Sequence, residues 1–373
     1  MIPFNRQART ARELDYVREA LASHTSGDGP FCRRAQKMLE AELPGTRALV
    51  TTSCTHALEM SAILLDVGPG DEVVVPSFTF VSTANAFALR GAKVVFCDVR
   101  ADTKNLDERA LEAVVGPRTK VIVPVHYAGV GCEMDAIAEV AAACGASVVE
   151  DNAHGLFGAW RGRALGTFGR LATQSFHETK NFSCGEGGAL VVGDASLVAR
   201  AEILREKGTD RSRFFRGEVD KYTWCDVGSS YVLSDVLGAI LVSQLEERDS
   251  IQGRRRRLWE RYARELAAWS ERTGAELPTV PEHCAQTFHL FYVVTRDLET
   301  RTALLAHLAE RGVRATFHYV PLHLSPMGRR FGGRAGQCPV TERVSDGLIR
   351  LPLWADMTDD EQSQVLDAVT SFG

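Results

Sequence analysis

Residues 171–192 read LATQSFHETKNFSCGEGGALVV and indicate an α/β architecture. Leu171–Phe176 and Ala189–Val192, at the two ends, are short apolar runs that predict strands. Runs that are apolar on both faces are typical of strands buried beneath helices on both sides of a sheet. The glycine-rich loop between them carries Lys180, directly beyond the end of the first of these strands.

The same alternation of strand and helix patterns extends over residues 47–193. Five further strands are predicted at Ala48–Val50, Glu72–Pro76, Lys93–Cys97, Lys120–Val125 and Ser147–Val149. Helical patterns separate them, among them Thr55–Asp66 and Met134–Cys144, which stops at Gly145 where a C-cap glycine belongs. This alternation predicts a doubly wound α/β domain, with a mainly parallel central sheet and helices on both faces.

The remaining chain predicts a second, smaller unit. Residues 195–217 begin helical and become basic and aromatic, and Leu233–Ala268 has the pattern of one or two long helices. Beyond a proline-containing linker at Leu277–Pro281, the pattern predicts a strand at Phe288–Val294, a helix at Arg301–Arg311 and a strand at Val313–Val320. We therefore expect a large domain at residues 1–245, with an N-terminal arm, and a small α+β domain at 246–373 reached by a long helix.

Composition excludes several classes of protein. The 373 residues include 43 basic and 48 acidic side chains, and this balance argues against nucleic acid or an anionic membrane as the main partner. No apolar run approaches the roughly 18 residues that span a bilayer. The start of the chain lacks the apolar core of a secretory signal. Nine cysteines without a C-x-x-C pair fit neither a disulfide framework nor a zinc site, so we expect no metal and a cytoplasmic location.

Lys180 and Asp151 are candidates for the chemistry of a site at one edge of the sheet. Strand ends in an open parallel sheet share an edge, and ligands bind there. Lys180 in this position is a candidate nucleophile for a Schiff base, although a lone lysine is more often a solvated surface residue. Asp151 ends the strand SVVED. It could pair with a protonated pyridine nitrogen or, equally well, cap a helix that begins near Ala153.

A second group of residues has the chemistry to hold a phosphate and a planar ring. Ser53-Cys54-Thr55 leads into a helix, where free N–H groups and hydroxyls bind anions, although simple N-capping fits these residue types as well. Ser175 could add a further phosphate contact. Phe80 could stack on a ring, although core packing is the usual role of such a phenylalanine.

Pyridoxal phosphate is the one common cofactor that requires all of these groups together. It forms an imine with a lysine, its pyridine nitrogen pairs with a carboxylate, and its phosphate and ring take hydroxyl donors and an aromatic face. The chain has no Rossmann G-x-G-x-x-G after the first strand, no Walker A motif, no H-E-x-x-H and no G-x-S-x-G. The residues therefore predict a pyridoxal phosphate enzyme.

Six stretches in this order extend over most of the chain: TTSCTHALEM, GPGDEVVVPSFTFVSTANAF, VIVPVHYAGV, VVEDNAHG, SFHETKNFSCGEGGAL and HYVPLH. Through them the sequence resembles, over essentially its whole length, the DegT/DnrJ/EryC1/StrS sugar aminotransferases. Residues 206–231 resemble the branch that aminates dTDP-4-oxo-6-deoxyglucose at C4. The resemblance implies the aspartate-aminotransferase-like fold of type I pyridoxal phosphate enzymes and a homodimer with shared active sites. It also implies L-glutamate as amino donor, a nucleotide sugar as acceptor, and pyridoxamine phosphate as the intermediate cofactor form.

The resemblance also assigns roles to individual residues. Lys180 carries the cofactor, Asp151 pairs with its pyridine nitrogen, and Phe80 stacks on its ring. The other assignments are His154 beside the ring hydroxyl, Ser53, Cys54, Thr55 and Ser175 at the phosphate, and Ser230 at the neighbouring subunit's phosphate. His154 and Ser230 depart from the glutamine and asparagine that the family pattern has there. Candidate substrate contacts are Arg211, Arg213 and Arg216 for the nucleotide diphosphate and His318 and His323 for the sugar, with an exposed charged loop and core packing as the respective alternatives.

Two alternative functions remain open at this stage. One is a keto-sugar 3-dehydratase, in which histidine replaces the cofactor lysine; Lys180 argues against it. The other is a catalytically silent pyridoxal phosphate-binding regulatory protein on the same fold, which the intact set of lysine, aspartate and phosphate residues disfavours.

Overall fold

The computed structural model describes all residues, 1–373, and contains a seven-stranded central sheet. The strands of the chain are β1 (Arg47–Thr51), β2 (Glu72–Pro76), β3 (Lys93–Cys97), β4 (Thr119–Ile122), β5 (Ser147–Asp151), β6 (Ala159–Trp160), β7 (Arg163–Ala164), β8 (Leu171–Ser175), β9 (Gly188–Val192), β10 (Cys284–Ala285), β11 (Phe291–Val294), β12 (Thr316–Phe317) and β13 (Leu348–Leu351). The central sheet has the order β1-β9-β8-β5-β4-β2-β3. All of its strands are parallel except β9, which is antiparallel to both of its neighbours. The predicted α/β fold with a mainly parallel sheet is confirmed.

Helices cover both faces of this sheet because its strands are apolar on both sides. The helices are α1 (Glu13–Ser23), α2 (Pro30–Glu42), α3 (Cys54–Leu64), α4 (Val81–Ala88), α5 (Glu108–Leu111), α6 (Met134–Cys144), α7 (Val198–Arg205), α8 (Arg211–Phe215), α9 (Asp235–Glu246), α10 (Arg248–Glu265), α11 (Ala267–Thr273), α12 (Leu298–Glu310), α13 (Pro326–Arg330), α14 (Pro339–Gly347) and α15 (Asp359–Thr370). In β1, Leu49 packs in the core with α3, whereas Ala48 and Val50 pack on the opposite face with α2 and α9. Gly145 adopts a left-handed conformation and ends α6 where the sequence predicts.

A second sheet organises the C-terminal part of the chain. It has the order β11-β13-β12 and packs against α10, α12 and α15 through a separate apolar core. The strand predicted at Val313–Val320 is too long, because only Thr316 and Phe317 pair with β13. The prediction of one or two long helices at Leu233–Ala268 corresponds to α9 and α10. The predicted boundary at residue 245 lies at the end of α9. No helix of the structure combines the length and apolarity needed to cross a membrane.

Two polar contacts fix the second sheet and its helices against the central sheet. The Asp98 carboxylate accepts hydrogen bonds from the amides of Val340 and Thr341, at 2.9 and 2.8 Å, at the start of α14. His323, which is fully buried, bonds to Ser77 at 2.6 Å and to Glu342 at 2.9 Å. The ends of β2 and β3 are thereby tied to the helix that precedes β13.

We predict that Asp98→Ala lowers the free energy of unfolding by about 1–2 kcal/mol, because the first amides of α14 lose their acceptor. Chemical denaturation monitored by circular dichroism measures this change. Asp98→Asn keeps one acceptor oxygen and should recover part of the loss. An Asp98→Ala variant as stable as the wild type would contradict this role of the carboxylate.

Candidate active site

The register of three neighbouring strands brings the candidate phosphate residues together. Gly188, the first residue of β9, pairs with Thr51 at the end of β1 and with Ser175 at the end of β8. Ser53 and Cys54 follow β1 directly. Both therefore lie at the same sheet edge as Ser175, although more than 100 residues separate them along the chain.

Helix α3 begins at this edge and presents its free N-terminal amides there. Ser53 is its N-cap, and the Ser53 Oγ accepts a hydrogen bond from the His56 amide at 3.1 Å. Thr55 Oγ1 lies 2.8 Å from Ser82 Oγ at the start of α4. Burial raises the pKa of the Cys54 thiol to about 12, so this thiol is neutral and does not act as a nucleophile. The helix start thus offers amides and hydroxyls to an anion.

Lys180 follows β8 in a tight turn and lies half-buried in a small cavity. The cavity is lined by Ala153, His154, Leu156, Ser175, Lys180, Asn181, Phe182 and His289. Burial lowers the pKa of Lys180 from 10.5 to about 8, against the opposing effect of Cys54 and Asp151. The amine is therefore neutral in an appreciable fraction of molecules near neutral pH, which a nucleophile or a proton carrier requires.

Asp151 is a buried carboxylate that makes no ion pair. Its Oδ2 accepts a hydrogen bond from Thr83 Oγ1 at 2.6 Å, and its Oδ1 accepts one from the Ala153 amide at 3.2 Å. Thr83 Oγ1 in turn lies 2.9 Å from Thr79 Oγ1. No helix begins near Ala153, so the structure contradicts the alternative of a helix cap. A buried carboxylate without a cation has the chemistry to pair with a protonated ring nitrogen.

Phe80 and His154 present a ring face and a hydrogen-bond donor. Phe80 precedes α4 and is 58% exposed, so it does not pack in a core. The His154 Nδ1 accepts a hydrogen bond from the Ala128 amide at 3.3 Å, and its ring lies 4.2 Å from that of His289, centroid to centroid. Burial holds the pKa of both histidines well below the usual range. His154 is therefore neutral, with its proton on Nε2.

The three arginines predicted to bind the nucleotide diphosphate already form ion pairs with nearby glutamates. Arg211 pairs with Glu206 and Arg213 with Glu218. Arg216 pairs with both Glu218 and Glu202. All three side chains are exposed and charged as the alternative expected, but Arg211 and Arg213 lie in the short helix α8 and Arg216 directly follows it, so the segment is not a loop. Arg211 also lies over the rings of Phe215 and Tyr222.

His318 and His323 are buried, whereas Ser230 is exposed. The His318 Nδ1 lies 3.1 Å from the Tyr127 hydroxyl, and the Tyr127 ring also contacts the ring of His154. Both ring nitrogens of His323 are bonded within the protein, so the packing alternative describes it. Ser230 is exposed, and the adjacent Tyr231 carbonyl accepts a hydrogen bond from the Thr52 amide at 3.0 Å, next to the phosphate candidates.

Three residues at this site were not singled out from the sequence: Thr83, Asn181 and His289. Thr79 precedes α4 and Thr83 lies in its first turn, so no helical face predicts the contact between their hydroxyls. Asn181 directly follows Lys180, and its Oδ1 lies 2.9 Å from His289 Nδ1. No local pattern indicates His289, because the long-range contact with Asn181 brings it to the cavity.

Comparison with known proteins agrees with this geometry. The profile of the DegT/DnrJ/EryC1/StrS aminotransferase family matches residues 7–370. The chain belongs to this family. It is 31% identical to the spore coat polysaccharide biosynthesis protein SpsC of Bacillus subtilis, over 99% of this chain and 96% of SpsC. The structure resembles the aminotransferase TlmJ of Streptoalloteichus hindustanus, with 34% identity, a TM-score of 0.90 and coverage of 100% of this chain and 98% of TlmJ.

A further solved relative bears on the cofactor of this aminotransferase. The structure of Spr1654 of Streptococcus pneumoniae, a candidate sugar aminotransferase, is known in a PMP-form. Its sequence is 26% identical to this chain, and the two structures match with a TM-score of 0.92 over 100% of this chain and 99% of Spr1654. A PLP-form is also known. The cofactor is pyridoxal phosphate, and the residues present fit it. Asp151 lacks a cation, Lys180 has a lowered pKa, and the start of α3 offers donors to the phosphate.

We predict that the rate of covalent attachment of pyridoxal phosphate to the apoprotein rises with pH and levels off above about pH 8, because only the neutral Lys180 amine attacks. Stopped-flow absorbance of the protein-bound cofactor measures this rate. A lysine with the ordinary pKa of 10.5 would give a rate that still rises above about pH 9, and that profile would contradict the lowered pKa.

We also predict that Gly188→Ala weakens pyridoxal phosphate binding by about tenfold or more. A Cβ at position 188 would lie 2.3 Å from the Cys54 amide nitrogen and must displace the start of α3. Equilibrium titration with the cofactor measures the dissociation constant. Gly253→Ala is the matched control, because a Cβ there meets no atom within 4 Å. Unchanged affinity in Gly188→Ala would show that the close approach is dispensable.

Proposed function

We propose that this aminotransferase transfers the amino group of L-glutamate to C4 of a dTDP-4-keto-6-deoxyhexose in the cytoplasm. The observation that carries the proposal is the convergence of Lys180, Asp151 and the start of α3 at one sheet edge. The sugar and the nucleotide rest on the resemblance of residues 206–231. The relatives SpsC and Spr1654, whose names refer to a polysaccharide and a sugar, support a carbohydrate acceptor.

The protein's own residues have separate tasks in this proposal. Pyridoxal phosphate supplies the electron sink and carries the amino group between the two substrates. The Lys180 amine moves the proton at the substrate carbon, and its lowered pKa suits it to both accept and return that proton. Asp151 would hold the ring nitrogen in its protonated state, with Thr83 fixing the carboxylate. The start of α3 would bind the phosphate, and the neutral His154 would donate a hydrogen bond from its Nε2–H to the ring oxygen.

The overall reaction exchanges one amino group for one carbonyl oxygen. L-Glutamate leaves as 2-oxoglutarate in the first half, and the 4-keto sugar becomes the 4-amino sugar in the second. No external oxidant or reductant enters, because the electron pair lost by glutamate is gained by the sugar. The two substrates therefore use the same cavity in turn.

We propose that the active enzyme is a homodimer. Phe215 is 70% exposed and Trp224 is 78% exposed, and such large apolar side chains favour burial against a second copy. Ser230 is exposed beside the phosphate candidates, as a residue that reaches a neighbouring subunit must be. Arg211, stacked on two aromatic rings, is the arginine of its segment best suited to the nucleotide end of the acceptor.

We predict that the enzyme with L-glutamate and dTDP-4-keto-6-deoxyglucose yields equal amounts of 2-oxoglutarate and a 4-amino sugar nucleotide. Lys180→Ala should lose at least about 10²–10⁴-fold in rate because the proton carrier is gone. Chromatography quantifies both products, and proton NMR couplings distinguish the galacto from the gluco configuration at C4.

Other outcomes of this assay separate the alternatives. Release of ammonia without an amino sugar would indicate a 3-dehydratase. Cofactor binding without any 2-oxoglutarate would indicate a silent binding protein. An amine at C3 would retain the aminotransferase but overturn the position of attack.

A further inference from the structure

The N-terminal arm, residues 2–8, is fixed to both units of the fold. At its start the Ile2 amide donates a hydrogen bond to the Gly312 carbonyl at 2.7 Å, and the Ile2 side chain is buried in the core of the smaller unit. At its end Ala8 is buried in the core with α1, α2 and α9, and its carbonyl accepts a hydrogen bond from the Gln244 side chain at 2.8 Å. The residues between these two ends therefore cross from one unit to the other along a defined path.

Side chains in the middle of the arm alternate between two directions. Arg6 contacts the smaller unit, where its guanidinium pairs with Glu361 of α15 at 2.9 Å and lies 5.0 Å from the Trp354 ring, from Cζ to the centroid. In an extended chain, the residues next to such a side chain point the opposite way. Asn5 and Gln7, on either side of Arg6, do so and reach the loop between β8 and β9.

Asn5 and Gln7 each donate a hydrogen bond to a backbone carbonyl of this loop. Asn5 Nδ2 lies 3.0 Å from the Glu178 oxygen, and Gln7 Nε2 lies 3.2 Å from the Ser183 oxygen. Neither carbonyl accepts a hydrogen bond from a backbone amide. The two carbonyls precede and follow Lys180 by two and three residues, so the arm holds the loop on both sides of this lysine.

Lys180 itself belongs to no helix or strand that would fix its position. Its amide donates to the His177 carbonyl at 2.9 Å within a turn. Inside the protein, Asn181 Nδ2 donates to the Thr287 carbonyl at 2.7 Å. The loop is thus held from one side by Thr287 and from the other by the arm. A lysine placed in this way depends on the contacts of its loop for the direction of its side chain.

We infer that Asn5 and Gln7 are positioning residues for Lys180. Attack on a carbonyl carbon and proton transfer both require the amine within about 3–3.5 Å of the reacting atom. A loop without the two hydrogen bonds would spread the amine over more positions, fewer of which are productive. The attachment of pyridoxal phosphate tests this directly, whereas the effect on proton transfer rests on the proposed function.

The first measurement is the rate of covalent attachment of pyridoxal phosphate to the apoprotein, by stopped-flow absorbance. Asn5→Leu and Gln7→Met keep the size of the side chain and remove its donor. The maximal rate should fall about threefold in each variant and about tenfold in the double variant. The cofactor concentration that gives half the maximal rate should not change, because neither hydrogen bond involves the start of α3. Asn5→Gln keeps the donor and should recover part of the loss.

The second measurement asks whether the effect requires the lysine. With L-glutamate, the double variant should lose about tenfold in kcat at unchanged KM. In a Lys180→Ala background with ethylamine added as the proton carrier, the same two substitutions should have no further effect, because there is no lysine to position. Arg9→Met is the control, since Arg9 follows the arm, is exposed and bonds only to Glu13 through its side chain. It should match the wild type in both measurements.

The remaining outcomes contradict the inference. Attachment rates in both single variants and the double variant that equal the wild-type rate would show that the loop holds Lys180 unaided. A weaker half-saturation by the cofactor, or a loss that persists in the Lys180→Ala background, would show that the arm supports the fold of the site in general. A wild-type enzyme that ignores glutamate would overturn the proposed donor, and the attachment rates would still test Asn5 and Gln7.

Discussion

The antiparallel pairing of β9 between β1 and β8 is the constraint on which the site depends. It places Gly188 against both Thr51 and Ser175, so that two segments far apart in the chain meet at one edge. The approach is so close that only glycine fits at position 188 without displacing the Ser53–Cys54 backbone. Helix α3 starts at that point, and Lys180 lies in the loop that follows β8 at the same edge. The candidate phosphate residues and the lysine are therefore positioned by a single feature of the sheet.

Burial then determines the charge state of the residues that enter this space. Desolvation favours neutral forms, and it does so for the Cys54 thiol, for His154 and His289, and in part for Lys180. The Asp151 carboxylate remains without an oppositely charged partner, although Thr83 and the Ala153 amide donate hydrogen bonds to it. It matches a group that the proposed chemistry brings, the protonated ring nitrogen.

The sequence predicts the parts of the structure that depend on local pattern. The buried strands β2 and β3 have the predicted bounds, since continuous apolar runs indicate central strands well, and α6 ends at Gly145 as expected. Lys180 and Asp151 could be identified because both directly follow or end such strands. The strand predicted at Val313–Val320 is shorter in the structure, because β12 is an edge strand whose pairing depends on β13 rather than on its own residues.

Residues that act through long-range contacts could not be found in this way. Thr83 supports Asp151 from a helix 68 residues earlier in the chain, and His289 meets Asn181 from 108 residues later. The cofactor candidates all come from the central sheet and its loops, whereas His318 comes from the smaller sheet. Asp98 and His323 fix the smaller sheet against the central one, so they also set the distance between the cofactor candidates and His318. A shift at these two contacts would therefore move His318 relative to Lys180 and the start of α3.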